Sequence, residues 1–275
     1  MRLYNHNHIT VHGDAVTGIR VLFLHGIPVM STVDAHRTYE CLSVVPYLFT
    51  RFARHILIMG GGTGQSATAL LSAFPDAIHS ITIVDPDEEL VKVSRGLLNF
   101  PLDDRVSVVH QPPMAHLNGS DKKWGMVLID YPVLPDPHLA GLYTVEAFST
   151  IRAHLSKEGS IGIRCCSMFL NPKAASCMIM TAVKAFPDAT VIPYRVHTPA
   201  SPLPSQQGFC LVAQTPQQLT VPPGLRFLNP AVFGTLFALG NDEVYPPMPE
   251  STSANVLYYN LLSELYVASM SEEVE

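Results

Sequence analysis

The stretch His55-Ile-Leu-Ile-Met-Gly-Gly-Gly-Thr-Gly64, followed by Ile81-Thr-Ile-Val-Asp85, decides the fold. An apolar run ends in glycines, a helix-forming segment follows, and a second apolar run ends in an acid. That order is the layout of a nucleotide-binding βαβ unit. Its glycines let the backbone approach a ligand, and its acid accepts hydrogen bonds from two ribose hydroxyls. The implied ligand is an adenosine compound, either a dinucleotide or the sulfonium cofactor S-adenosylmethionine. The dinucleotide pattern G-x-G-x-x-G is not met, because Gln65 stands where its third glycine would pack the helix. Gly60-Gly61-Gly62-Thr63-Gly64 gives G-x-G-x-G instead, typical of class I methyltransferase folds. A sulfonium ligand has no pyrophosphate to cradle and needs room for its methionine arm. A tight structural turn would use the glycines in the same way; the acid after the next strand argues for a ligand.

Outward from this unit the chain alternates strand and helix. Strand-like runs over 56–59, 81–84, 106–110, 126–129 and 160–164 alternate with helical patterns over about 65–74, 88–98 and 145–155. A helix over 173–186 and a late strand over 208–213 follow. Lys157-Glu158-Gly159 reads as a helix stop with glycine in the left-handed conformation. Such alternation predicts a parallel-rich sheet with helices on both faces. Ligands of these sheets sit beyond the carboxyl ends of the strands, where the glycine loop, Asp85, Gln111 and Asp130 all fall.

Residues 1–50 read differently. Runs over 9–13, 20–25 and 29–32 suit short antiparallel strands, with turn signals at Gly13-Asp14 and His25-Gly26. Tyr39, Leu42, Val45 and Leu48 recur at helical spacing, so one helix is expected over 35–52. The expected architecture is α/β: a Rossmann-like, class I methyltransferase-type domain over 51–275, preceded by a small antiparallel β domain over 1–50. The proline-frequent region 187–250 is expected to form ordered loops, and the acidic tail 269–275 a frayed end.

The chain has 275 residues, 47% of them apolar, enough to bury a full core. Its net charge is −6 and Lys and Arg form no cluster, which speaks against nucleic acid or an anionic membrane surface as partner. No run reaches the ~18 apolar residues of a membrane span, and the first residues lack the apolar segment of a secretory signal. A cytoplasmic protein is expected. Cys41, Cys165, Cys166, Cys177 and Cys210 are odd in number and lack a C-x-x-C, and read as reduced, mostly buried thiols. The 12 histidines show no metal-ligand spacing, so no metal is expected. Without a G-x-S-x-G elbow there is no basis for a Ser/His/Asp triad. Trp124 reads as a packing residue.

Further segments carry a family resemblance. Val21-Leu-Phe-Leu-His-Gly26, Asp34-Ala-His-Arg-Thr-Tyr-Glu40, the glycine loop, Val84-Asp-Pro-Asp-Glu-Glu-Leu90, the stretch from Asp130 to Leu142-Tyr143, Ser205-Gln-Gln-Gly-Phe209 and Leu225-Arg-Phe-Leu-Asn-Pro230 occur in that order. Over about 18–260 the chain resembles the spermidine synthase family of polyamine aminopropyltransferases. The resemblance implies the two-part architecture above and a homodimer. It also implies a reaction in which an amine attacks the propyl carbon beside the sulfonium of decarboxylated S-adenosylmethionine, releasing methylthioadenosine. Asp130 matches the family's proton-accepting aspartate, or else caps a helix or orders the loop. Gly60, Gly61, Gly62, Thr63, Gly64, Asp85, Gln111 and Asp130 form the expected cofactor site. Asp85 is the ribose ligand or a helix cap, and Asp87 suits the cap better. Glu40 either orients the nucleophile of Asp130 or is a helix-face charge. Tyr39 contacts substrate or packs the core, and Arg37 pairs a methionine carboxylate or is an exposed helix residue.

The chain departs from the family pattern at the site. The aspartate of G-G-G-D-G is Thr63, the second aspartate of D-x-x-D is Val133, and the Tyr-His/Gln pair is Thr38-Tyr39. Leu203-Pro204 replaces Tyr-Pro, Pro112 replaces an adenine-contacting aspartate, and Val29 replaces a cofactor-contacting glutamine. A neutral Thr63 admits intact S-adenosylmethionine, since no anion–anion contact is forced. A buried unpaired ammonium costs several kcal/mol, so the substrate expected here is smaller and less cationic than a polyamine.

The leading expectation is a transferase that moves the aminopropyl or 3-amino-3-carboxypropyl arm of the sulfonium compound to a small amine. Internal cyclisation of S-adenosylmethionine is a one-substrate variant. A methyltransferase for small molecules and a non-catalytic binding or regulatory subunit are the other readings. The released nucleoside, methylthioadenosine or S-adenosylhomocysteine, separates the enzymatic ones.

Overall fold

The computed structural model describes residues 1–51, 53–133, 137–199, 205–213, 220–243, 247–253 and 255–263. Phe52, Leu203-Pro204 and the tail 269–275 lie outside the described residues. Strands β1 (Arg2–His6), β2 (Ile9–Gly13), β3 (Arg20–Leu24) and β4 (Ile27–Ser31) form an antiparallel sheet in that order. Helices α1 (Ala35–Tyr39) and α2 (Val45–Leu48) are joined by a π-turn over Glu40–Val44. There follow β5 (His55–Gly60), α3 (Gln65–Ala73), β6 (Ser80–Val84), α4 (Glu88–Leu97), β7 (Val106–Val109), α5 (Pro113–Asn118) and β8 (Trp124–Asp130). After these come α6 (Pro137–Ala140), α7 (Val145–His154), β9 (Leu155–Cys165), α8 (Pro172–Ala185), β10 (Thr190–Thr198), β11 (Ser205–Ala213) and α9 (Pro230–Thr235).

The large sheet runs β10-β11-β9-β8-β5-β6-β7. Strands β5 to β9 are parallel, and β11 and β10 add antiparallel at one edge. Continuous apolar runs make the central strands: Ile56 to Met59 on β5 and Met126 to Ile129 on β8 are fully buried, as strands covered on both faces must be. The chain leaves β5 toward β6 and β7 and returns on the other side at β8. The strand order therefore reverses between β5 and β8, where ligands of open α/β sheets bind. In that register Gly60 is paired with Asp130.

The small sheet packs Ile9, Val11, Leu22 and Leu24 against Tyr39 and against Leu90 and Val93 of α4. Its first strand was not expected: Arg-Leu-Tyr-Asn-His has no apolar run, and β1 is held by the tight turn at Asn7 (φ 48°), a residue that tolerates left-handed backbone. At the β3–β4 turn both His25 (φ 52°) and Gly26 (φ 80°) have positive φ, as a two-residue hairpin requires.

Three expectations need correction. The region 187–250 is not all loop, since β10 forms there; as the edge strand it tolerates Pro193. Gly159 does not end a helix. It lies in β9, where an added Cβ would fall 2.8 Å from Leu155 Cγ and 2.9 Å from the Gly125 carbonyl. The helix expected over 35–52 is interrupted, because Pro46 has no N–H for the Leu42 carbonyl and the turn before it widens. Trp124 is buried in the main core as expected, and all five cysteines are free and buried. Among the described residues no helix is long and apolar enough to cross a membrane.

Candidate active site

At the end of β5 the chain turns sharply. Gly60 (φ 79°), Gly61 (φ 73°) and Gly64 (φ 74°) adopt left-handed backbone, which explains three of the glycines. The Gly61 N–H donates to the Asp130 carbonyl (3.0 Å), and that of Gly64 to the Gly61 carbonyl (2.8 Å). Gly62 has a different reason. A Cβ there would lie 2.7 Å from Asp85 Oδ2, so the backbone can approach this carboxylate only without a side chain.

Asp85, at the turn after β6, is buried. Its Oδ2 accepts from the Gly62 N–H (2.8 Å) and its Oδ1 from the Asp87 N–H (2.9 Å). Each carboxylate oxygen keeps a lone pair for a ligand hydroxyl. Burial pushes its pKa up, and the two backbone donors pull against that shift. Asp87 is the cap of α4, accepting from the Leu90 N–H at 2.9 Å, as expected.

Asp130 ends β8 with its side chain 1% exposed. Ser66, in the first turn of α3, donates its hydroxyl to Asp130 Oδ2 at 2.6 Å. Arg164 on β9 brings Nη1 to 3.7 Å from Oδ1, an ion pair too long for a hydrogen bond. Burial raises the Asp130 pKa to about 6; Arg164 and Ser66 pull it down, and Asp85 pushes it up. Thr63 donates to the Tyr39 hydroxyl at 3.4 Å, and the Arg164 guanidinium lies 5.9 Å from the centre of the Tyr39 ring. Burial, then Asp130, raises the Tyr39 pKa.

These groups share one cavity of about 460 Å³. It is lined by Gly61, Gly62, Thr63, Asp85, Asp130 and Tyr39, all expected from sequence, and by His8, Leu22, Leu24, His25, Tyr131 and Arg164. Gly60 and Gly64 shape the loop without lining the cavity. Two expected site residues are not brought there. Gln111, just beyond β7, donates its amide to His116 Nδ1 at 2.6 Å on α5. Glu40 starts the π-turn, and its carboxylate accepts from the backbone N–H groups of Arg226 (2.9 Å), Phe227 (3.0 Å) and Leu228 (2.8 Å). It is a buried anchor for the late segment, neither a helix-face charge nor a neighbour of Asp130. Arg37 donates to the His197 carbonyl at 3.3 Å and lies over the Phe227 ring.

Sequence reading missed Ser66, Arg164, His8 and His25. A charged residue at the carboxyl end of the buried strand Ile161-Gly-Ile-Arg164 was a usable signal for the second. His8 and His25 come from the small sheet, their rings stacked at 4.9 Å, with His8 Nε2 2.6 Å from Asp87 Oδ2. An adenosyl group fits the residues present: a Cβ-free loop at Gly62, a carboxylate with lone pairs to spare, and a cavity within the ~300–1,000 Å³ of small-molecule sites.

The sheet order and the loop define a class I methyltransferase-type α/β protein with an added N-terminal β-sheet. A family model described as "Spermine/spermidine synthase domain" matches residues 35–218, and the chain belongs to that family. The polyamine aminopropyltransferase of Oceanobacillus iheyensis is 28% identical over 258 residues, 89% of this chain and 48% of that protein. The one from Corynebacterium efficiens is 32% identical over 247 residues, 85% of this chain and 45% of that protein. The chain thus spans about half the length of these curated relatives. The crystal structure of spermidine synthase from Thermotoga maritima matches with a TM-score of 0.77, over 87% of this chain and 85% of that one. At 19% identity that likeness shows the fold.

Proposed function

We propose that the chain transfers the alkyl arm of an adenosyl sulfonium compound, S-adenosylmethionine or its decarboxylated form, to the nitrogen of a small amine, releasing methylthioadenosine. One observation carries this reading. The Asp130 carboxylate stands at the strand-order reversal, beside the glycine loop, in the same cavity as Asp85. The names of the relatives, polyamine aminopropyltransferases, support it.

Gly62 and Asp85 would hold the ribose, with the glycine loop beneath. The sulfonium compound supplies a carbon already activated by a good leaving group, so the protein's task is to prepare and orient the amine. A protonated amine has no lone pair. Asp130 takes that proton, and Ser66 and Arg164 keep the carboxylate available to accept it. Arg164 also disfavours a second cation nearby, which lowers the amine's hold on its proton. The Asp130 carboxylate is 1% exposed, so bulk water reaches it little. Near-attack alignment, with reacting atoms ~3–3.5 Å apart, supplies the rest.

The test is incubation of the protein with each sulfonium compound, with and without a small amine, and mass spectrometry of the nucleoside. Methylthioadenosine formed by wild type but not by Asp130→Asn is expected. S-adenosylhomocysteine as the only product, or methylthioadenosine release indifferent to Asp130, overturns the reading.

A further inference from the structure

Arg164 is the charged group of the cavity that the reaction above uses least. Its side chain is 7% exposed, its Nε has no hydrogen-bond partner, and its nearest carboxylate oxygen is 3.7 Å away. A buried guanidinium is costly unless its donors are satisfied. Its planar fork matches the two oxygens of a carboxylate. The geometry points to a carboxylate-binding role for Arg164: one of the two reactants carries a carboxylate that seats on its guanidinium.

The neighbouring groups agree. Thr63 and Tyr39 add neutral hydroxyls beside Arg164 and no anion. Among the described residues that line the cavity, the carboxylates are Asp85, Asp87 and Asp130. Asp85 is tied to two backbone N–H groups, and Asp87 to His8 and the Leu90 N–H. Of these three, Asp130 is the one paired with Arg164; Asp34, also buried, lines a smaller neighbouring cavity with Arg164 and Tyr39. A diamine would place one ammonium on Asp130 and leave the other with a cation for a neighbour. A reactant with one amine and one carboxylate satisfies both side chains. The carboxylate can belong to the alkyl arm of intact S-adenosylmethionine or to an amino-acid-like acceptor.

This inference rests on the transferase reading, and binding measurements separate the two. By titration calorimetry, S-adenosylmethionine is compared with its decarboxylated form. With methylthioadenosine present, 4-aminobutyrate is compared with 1,4-diaminobutane. In one pair, wild type is expected to prefer the carboxylate member by about tenfold or more, ~1.4 kcal/mol. Arg164→Met removes that preference, Arg164→Lys keeps part of it, and Asp130→Asn keeps or enlarges it because the competing anion is gone. The pair that responds identifies the source of the carboxylate. A thermal melt monitors folding of each variant; if Arg164→Met does not fold, wild type and Arg164→Lys decide. Equal binding within both pairs by wild type, or a preference that survives in folded Arg164→Met, overturns the inference and leaves the transferase reading standing. If no adenosyl compound binds at all, both fall.

Discussion

Ser66→Ala tests Asp130 as proton acceptor through a residue that touches no reactant. The Ser66 hydroxyl is buried and donates to Asp130 Oδ2 at 2.6 Å. Alanine keeps the helix, being the better helix former, and deletes a hydrogen bond to a charged group worth ~1.5–3 kcal/mol. That bond is stronger to the ionised carboxylate than to the neutral acid, so its loss strengthens proton binding by up to this amount. At ~1.4 kcal/mol per tenfold, the midpoint near 6 moves as far as roughly 7–8. Folding also raises the carboxyl pKa, from 3.8 to about 6, so between those values the native state holds more protons than the unfolded chain. This group's contribution to stability therefore falls as pH rises through that window, by ~3 kcal/mol, and the variant extends the fall to higher pH. The assay is kcat/KM for nucleoside release from about pH 5 to about pH 9, which reports groups of the free enzyme. Wild type should rise with a midpoint near 6, and the variant with a higher one, both reaching similar plateaus. Coincident rising limbs, or a loss of rate equal at every pH, would refute the assignment.

Three further substitutions have direct readouts. Gly62→Ala puts a Cβ 2.7 Å from Asp85 Oδ2 and displaces the carboxylate proposed to hold the ribose; methylthioadenosine affinity measured by calorimetry should fall by ~100-fold, or ~3 kcal/mol, and an unchanged Kd would discount Asp85 in that role. Glu40→Ala strips the acceptor from the N–H groups of Arg226, Phe227 and Leu228. Denaturant unfolding should show a loss of ~3 kcal/mol or more, with kcat kept by the folded molecules; lost kcat at unchanged stability would restore Glu40 to catalysis. Gln111→Ala should leave adenosyl affinity within about twofold, a typical surface effect, and a larger loss would mean that the amide turns from His116 to the ligand.

How far each element was legible follows from its chemistry. The central strands advertise themselves, because burial on both faces demands unbroken apolar runs such as Ile56 to Met59 and Met126 to Ile129. Strands β1 and β10 do not. The first is polar and the second contains Pro193, and both are edge strands whose pairing depends on a neighbour far along the chain or on a turn. Glycine carries a different signal. The glycine run and Asp85 are legible as the two halves of one ligand site, but the left-handed backbone of Gly60, Gly61 and Gly64 and the approach of Gly62 to Asp85 emerge only in three dimensions. Glu40 misleads because its partners, the N–H groups of Arg226, Phe227 and Leu228, lie 186 to 188 residues further along the chain, where no local pattern points to them.

Arg164 shows where reading in one dimension stops. At the end of an apolar strand, an arginine is equally suited to solvent and to a site. Only the sheet order, which lays β9 beside β8, makes it the neighbour of Asp130. The same reasoning separates kinship from selectivity. Family likeness is carried by apolar periodicity, glycine conformation and the acid after β6, none of which senses the net charge between Asp130 and the glycine loop. There Thr63 and Tyr39 bring neutral hydroxyls and Arg164 brings a cation, and none of the three is a glycine or an apolar residue of the strand core. A shared fold with a changed reactant is the expected result of substitutions confined to such positions. The charge at position 164, more than overall resemblance, therefore decides whether a second ammonium or a carboxylate is welcome beside Asp130.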